Sequence, residues 1–167
     1  LCPDVLIHGS PCQDFSIAGK QNGADLGSET RSSLMWETIK IIKNMGIWKP
    51  RVVIWENVKN VLSKHMIHNF NKYLKEMEKL GYINKFDVLN AKDFGIPQHR
   101  ERVFTISILG DNKFNFSALE KKEMKHIREY LTNDYSEKHL VTQPSMLNKI
   151  NNPGTFGLYI IDDHCKT

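Results

Sequence analysis

The chain has little of what several common function classes require. Only 3 of its 167 residues are cysteine. Cys2, Cys12 and Cys165 form no CxxC pair and leave an odd thiol, which excludes a disulfide framework or zinc knuckle and fits a reducing, cytoplasmic compartment. No apolar run approaches the roughly 18 residues of a spanning helix, so no membrane partner is expected. Residues 1–10 lack the basic start and long apolar centre of a signal peptide. The 7 histidines never stand at HExxH or HxxxH spacing; His65 and His68 read as surface residues, and no metal is expected. There is no repeat and no low-complexity tract.

What is present describes a soluble globular chain, 40% hydrophobic and 25% charged. The net charge is +4. All of the excess lies in residues 1–110, which is compatible with a polyanionic partner. The chain starts at Leu1 rather than Met, almost directly on a strand, and stops just after a strand-like run. Both ends read as cut, and a piece of a longer protein is expected.

The apolar run Asp4 to His8 reads as a strand ending in the turn Gly9-Ser10-Pro11-Cys12. Residues 17–30 are rich in Gly, Ser, Asn and Asp and read as a loop able to close over a ligand. A helix is expected from about Arg31 to Met45, with an apolar stripe of Leu34, Met35, Thr38, Ile39, Ile41 and Ile42 and a stop at Gly46. Arg51 to Asn57 follows Pro50 as a strand whose consecutive apolar residues predict burial on both faces. A second helix spans about His65 to Leu80, with Phe70, Tyr73, Leu74, Met77 and Leu80 at helical spacing and a stop at Gly81. Strands follow over Tyr82 to Leu89 and Val103 to Leu109, separated by a loop with Gly95 and Pro97.

This order predicts an α/β fold: part of a doubly wound, Rossmann-like sheet with one antiparallel edge, since no helix separates the last two strands. Residues 1–111 are expected to be part of one α/β domain. Beyond them, Ala118 to Leu131 reads as a charged helix and Leu158 to Ile161 as a short strand. Residues 112–167 are thus expected to be a linker and the start of a small second domain.

Three polar features fall where such a sheet gathers its ligands. Cys12 follows one strand's carboxyl end, and Glu56-Asn57 closes the next strand on the same edge. If the strand from Val103 runs antiparallel, its lead-in Gln98-His99-Arg100-Glu101-Arg102 starts at that edge too. Alternation would put Gln98, Arg100 and Arg102 on one face. A thiolate can add to an electron-poor carbon, a carboxyl can bond a ring nitrogen, and arginines can hold an oxygen gaining charge. No histidine or asparagine stands in the role of a cysteine-protease base.

Pro11-Cys12-Gln13-x-Phe15-Ser16, Glu56-Asn57-Val58 and Gln98-x-Arg100-x-Arg102 resemble three signature motifs of the cytosine-5 DNA methyltransferases of bacterial and phage type, in the family's order. Arg31-Ser32-Ser33-Leu34-Met35 resembles the motif after the catalytic loop, with Ser and Met where the family usually has Gly and an aromatic. Asn90-Ala91-x-Asp93-Phe94-Gly95-x-Pro97-Gln98 resembles the lead-in to the arginines. The resemblance covers about residues 4–110.

It implies methyl transfer from S-adenosylmethionine to carbon 5 of a cytosine flipped out of double-stranded DNA. Cys12 would be the nucleophile, Glu56 would engage ring nitrogen 3, Arg102 would hold the ring oxygen and Arg100 would support the site. Pro11 and Leu34 would line the cofactor pocket. Gln13, Ser16, Asn57 and Gln98 would serve substrate binding. A restriction endonuclease is a compatible genetic partner. The family's Gly-rich cofactor turn and ribose-binding acid have no counterpart. The resemblance therefore makes residues 1–111 the C-terminal part of the catalytic domain and residues 112–167 a linker and the beginning of the target-recognition domain. The chain is expected to be inactive without the remainder of the enzyme. The alternatives are a non-catalytic DNA-binding or split-enzyme subunit and a tRNA cytosine-5 methyltransferase.

Overall fold

The computed structural model describes residues 3–9, 35–125, 127–130, 132 and 136–152. Four strands form one sheet: β1 (Val5–Gly9), β2 (Val52–Val58), β3 (Tyr82–Asn90) and β4 (Glu101–Leu109), in the order β1-β2-β4-β3. β1 pairs parallel to β2, while β4 is antiparallel to both β2 and β3. The antiparallel strand is therefore not at an edge, as the sequence order implied. A short β3–β4 connector lets β4 fold back beside β3, and β4 fills the place between β3 and β2.

Helices α1 (Met35–Asn44) and α2 (Ile67–Lys79) cover one face of the sheet. In α1 the buried positions are Met35, Trp36, Ile39 and Ile42, a single helical stripe. Ile41, expected in that stripe, is exposed, and Trp36 supplies the bulk instead. In α2, Phe70, Tyr73 and Met77 are buried, with Leu74 packed at the margin. The helices end as their glycines require. Gly46 and Gly81 follow with φ of +58° and +92°, a conformation that costs other residues steric strain.

Burial along β2 alternates instead of extending to both faces. Val53, Trp55 and Asn57 are buried, while Val52, Ile54, Glu56 and Val58 are only half-buried. The reason is that both α1 and α2 lie on the side of Val53 and Trp55. On the other side Val5 and Ile7 of β1 are exposed, Ile7 by 71%. No helix among the described residues is long and apolar enough to cross a membrane.

The centre of the covered face is aromatic. Trp55 lies 4.4 Å from the ring of Tyr73, 5.7 Å from Phe70 and 6.0 Å from His8. His8 joins three elements. Its Nε2 lies 3.0 Å from the Tyr73 hydroxyl on α2, and its Nδ1 lies 3.3 Å from the Thr38 hydroxyl on α1. Burial pushes the His8 pKa down to about 4 and raises that of Tyr73, so the node is neutral at ordinary pH. At the opposite end of the sheet, Tyr82 donates its hydroxyl proton to the Pro50 carbonyl at 2.7 Å. Burial raises the Tyr82 pKa to about 12.

The charged helix expected over Ala118 to Leu131 does not form. Short 3-10 turns occupy Phe116–Ala118 and Ile127–Tyr130. Between them the chain runs alongside the β3–β4 connector, where Lys122 N–H donates to the Asp93 carbonyl at 3.0 Å. That pairing uses backbone groups a helix would have consumed. A helix α3 (Pro144–Asn151) follows. No separate second unit is evident among the described residues, and the strand expected over Leu158 to Ile161 lies outside them.

Two measurements test this packing. Trp55→Ala should cost roughly 3–5 kcal/mol of unfolding free energy, the usual penalty for emptying a large aromatic site, read from denaturant melts. The second concerns pH. Folded His8 titrates near 4 against an ordinary 6.5, so between those values the unfolded chain binds more protons. Stability should therefore fall as pH drops from 6.5 to about 4, level off below, and gain nothing from this group above 6.5. His8→Gln should flatten that slope.

Candidate active site

The site is assembled by strand register. Gly9, the last residue of β1, pairs in parallel with Glu56 of β2. A Cβ placed on Gly9 would stand 3.5 Å from Glu56 Oε2, so the β1 backbone ends directly beside the carboxylate. Across the antiparallel pair, Glu56 faces Phe104 and Val58 faces Arg102. Glu56 and Arg102 are thus diagonal neighbours on one face of the sheet. Glu56 Oε1 accepts an ion-paired contact from Arg102 Nε at 3.0 Å. A second guanidinium nitrogen of Arg102 donates to the Glu101 carbonyl at 2.8 Å.

This pair stands at a cavity of about 380 Å³, lined by Glu56, Arg100 and Arg102 and by apolar side chains that include Leu89, Phe94, Phe104 and Leu119. The volume and the largely apolar wall are those of a small-molecule pocket, with few convergent polar groups to set orientation. Glu56 is 37% and Arg102 23% exposed, so the charges meet solvent as well as the cavity. The arrangement suits a flat heteroaromatic ring. The walls take its faces, and its polar edge meets a carboxyl and guanidinium donors.

The sequence-predicted residues divide into three groups. Glu56, Arg100 and Arg102 come together around the cavity. Asn57 and Gln98 do not. Asn57 points to the helix-covered face, is 2% exposed, and accepts the Val58 N–H at 2.8 Å; adjacent residues in a strand face opposite ways. Gln98 is exposed and bonds the Ile96 carbonyl through its own N–H. The alternation that would align it with Arg100 and Arg102 fails because β4 starts only at Glu101. Cys12, Pro11, Gln13, Ser16 and Leu34 lie outside the described residues.

The cavity also has members that motif reading passed over. Phe104 was accessible in principle, since it is two residues beyond Arg102 in a strand and must share its face. Leu89 comes from β3 and Leu119 from a segment expected to belong elsewhere, while Asn90 and Phe94 stand in the lead-in motif, which gave them no role at the site. Nothing local in the sequence marks Leu119. Charge at the rim is mixed: Lys59 holds Glu101 at 2.9 Å. That hydrogen bond keeps the exposed Glu101 carboxyl below its usual range, with further help from the charges of Lys59, His99 and Lys92.

Comparison with known proteins gives this geometry a family. The sequence profile of the C-5 cytosine-specific DNA methylases matches residues 2–154. The type II methyltransferase M2.ScrFI of Lactococcus lactis subsp. cremoris is 48% identical over 136 residues, 81% of this chain and 37% of its own length. The orphan methyltransferase M.SssI of Spiroplasma monobiae is 39% identical over 139 residues, 83% of this chain and 36% of its own. This chain therefore spans little more than a third of those relatives. Among solved structures, the Entamoeba histolytica methyltransferase EhMeth superimposes with a TM-score of 0.66 at 22% identity, over 87% of this chain and 44% of its own. The S. pombe Dnmt2 methyltransferase gives 0.62 at 19% identity, over 89% and 45%. Those two likenesses speak for the fold, and the sequence matches speak for descent. The chain belongs to the C-5 cytosine-specific DNA methylase family.

Proposed function

We propose that this chain carries the base-handling part of a DNA cytosine-5 methyltransferase and acts together with residues outside these 167. The observation that carries the reading is the Glu56–Arg102 pair, at 3.0 Å, standing at an apolar cavity beside the end of β1. Cys12 is three residues beyond Gly9, and covalent reach keeps the two Cα atoms within about 11 Å. The family motif with its nucleophile thus follows in sequence directly on the strand that ends beside Glu56.

In this reading the target cytosine leaves the duplex, at a cost of a few kcal/mol, and its ring enters the cavity. The Cys12 thiolate forms a bond to carbon 6, and the electron pair of the 5,6 double bond moves to carbon 5. Glu56, taking up a proton as the base binds, donates it to nitrogen 3 and accepts from the exocyclic amine, and Arg102 donates to the ring oxygen, so nitrogen 3 and the oxygen take up electron density as the sulfur adds. Arg102 carries five N–H donors, which leaves capacity beyond its contact with Glu56. Arg100 supports the same edge. Carbon 5 accepts the methyl group and then loses its proton to a base. The pair left behind restores the double bond and expels the cysteine sulfur.

S-adenosylmethionine is the family's methyl donor and would supply that methyl as an electrophile, departing as S-adenosylhomocysteine. Among the described residues the cavity does not fit it. The walls are apolar, and the acid at the end of β2 is engaged by Arg102, so nothing there would cradle an amino-acid end or a ribose. Pro11 and Leu34 are the residues proposed for the cofactor. A second reading makes the chain one subunit of a split enzyme, or a DNA-binding module without catalysis. It draws on the span of about a third of the relatives' length.

Transfer of tritiated methyl from S-adenosylmethionine to DNA tests the leading reading. The 167-residue chain alone should give no turnover, and a protein that supplies the missing residues should restore it. In that protein Cys12→Ala should abolish transfer. Turnover that survives Cys12→Ala would sink the chemical assignment. Glu56→Gln and Arg102→Ala should each lower kcat by roughly 10²–10³-fold, as expected for lost electrostatic stabilisation. Because this ion pair is partly solvated, the same changes should move the unfolding free energy by only about 1 kcal/mol. Offering tRNA beside DNA as acceptor identifies the nucleic acid.

A further inference from the structure

We infer that Asn90 is a positioning residue for the arginine pair: its side-chain oxygen clasps the two ends of the β3–β4 connector and so sets where Arg100 and Arg102 stand against Glu56. Asn90 is the last residue of β3, 8% exposed, and pairs with Glu101 at the start of β4. Its Oδ1 accepts two backbone N–H groups, that of Lys92 at 3.3 Å and that of Arg100 at 3.1 Å. Beside it, Ala91 N–H donates to the Arg100 carbonyl at 3.1 Å. Both backbone polar groups of Arg100 are thereby anchored to the end of β3.

The two bonds mean different things. The bond to Lys92 is local, and alone it would only cap the short 3-10 turn over Ala91–Asp93. The bond to Arg100 crosses ten residues, so it closes the connector. Between these points the connector is held by short turn bonds and by one bridge of Phe94 with Lys122, neither of which reaches Arg100. It turns through Gly95 at φ +83° and passes Pro97, which has no N–H to give. Without the clasp, the residue entering β4 would be held at its carbonyl alone, and Arg100 and Arg102 flank the first β4 residue. An amide oxygen has the two lone pairs the arrangement uses. Asn90 also lines the cavity beside Glu56, Arg100 and Arg102, so a shift at this point is felt where the ring would bind.

The inference rests on the methyl-transfer reading for its kinetic readout only; its structural readout is independent. Residue-resolved amide hydrogen exchange on the 167-residue chain should show slow exchange at Lys92 and Arg100. Asn90→Leu, similar in size but without an acceptor, should speed exchange at both by about tenfold, the worth of one hydrogen bond, while Val103 to Leu109 stay protected. Asn90→Ala serves the same purpose should the leucine variant not fold. Asn90→Asp restores an acceptor oxygen and should restore the protection. In a methylation-competent protein containing this chain, Asn90→Leu should lower kcat about 10- to 100-fold, the effect of a small misplacement, with KM for S-adenosylmethionine unchanged. Wild-type exchange at Arg100 in the leucine variant, failure of aspartate to restore protection, or wild-type kcat once protection is lost would each overturn the inference. Absence of methyl transfer in the unmutated methylation-competent protein would overturn the functional reading and leave the exchange result standing.

Discussion

The antiparallel pairing of β4 with β2 is the constraint from which the site follows. Parallel neighbours such as β1 and β2 deliver their carboxyl ends to one edge of the sheet, which brings Gly9 alongside Glu56. A third parallel strand would have brought another end. A reversed strand brings a beginning, and here the beginning carries Arg102. The ion pair of Glu56 with Arg102 is a direct product of that reversal, because the diagonal partner of a strand's terminal acid is then a residue entering the next strand. Placing β4 between β2 and β3, with pairing on both sides, holds that geometry more tightly than an edge position would.

The covered face of the sheet serves the site at a distance. Trp55 alternates with Glu56, so the residue that fills the core and the residue that faces the cavity are neighbours on one rigid strand. His8 repeats the pattern beside Gly9. Its ring is fixed by Tyr73 and Thr38 and rests against Trp55, which pins β1 one residue before the chain leaves toward Cys12. The division is chemically sensible. Burial that keeps His8 neutral would be costly for Glu56, whose charge is instead balanced by Arg102 and partly hydrated.

Chemical identity along the chain was the most legible layer. Glu56 and Arg102 were visible because each adjoins a run of core residues, where a charged group is out of place unless it works, and Arg100 because it stands two positions before Arg102. Strand reversal was readable from the absence of a helix between the last two strands. The place of β4 within the sheet was not, because strand order depends on which pairing wins once all strands are present. The helix expected over Ala118 to Leu131 failed for a similar reason. Its local composition favours a helix, but its backbone found partners on the connector, and tertiary pairing overrides a weak intrinsic preference.

The sequence by itself determined the α/β class, the two glycine-stopped helices, the family and the residue types that would do chemistry, since these are local or depend on order alone. Only the tertiary structure decided which of those residues meet. It turned Asn57 into the core and left Gln98 in solvent, because strand alternation allows one face per residue and begins only where pairing begins. It brought Leu119 to the cavity wall and made the oxygen of Asn90 a clasp across ten residues, contacts that no local pattern encodes because their partners are far apart in the chain.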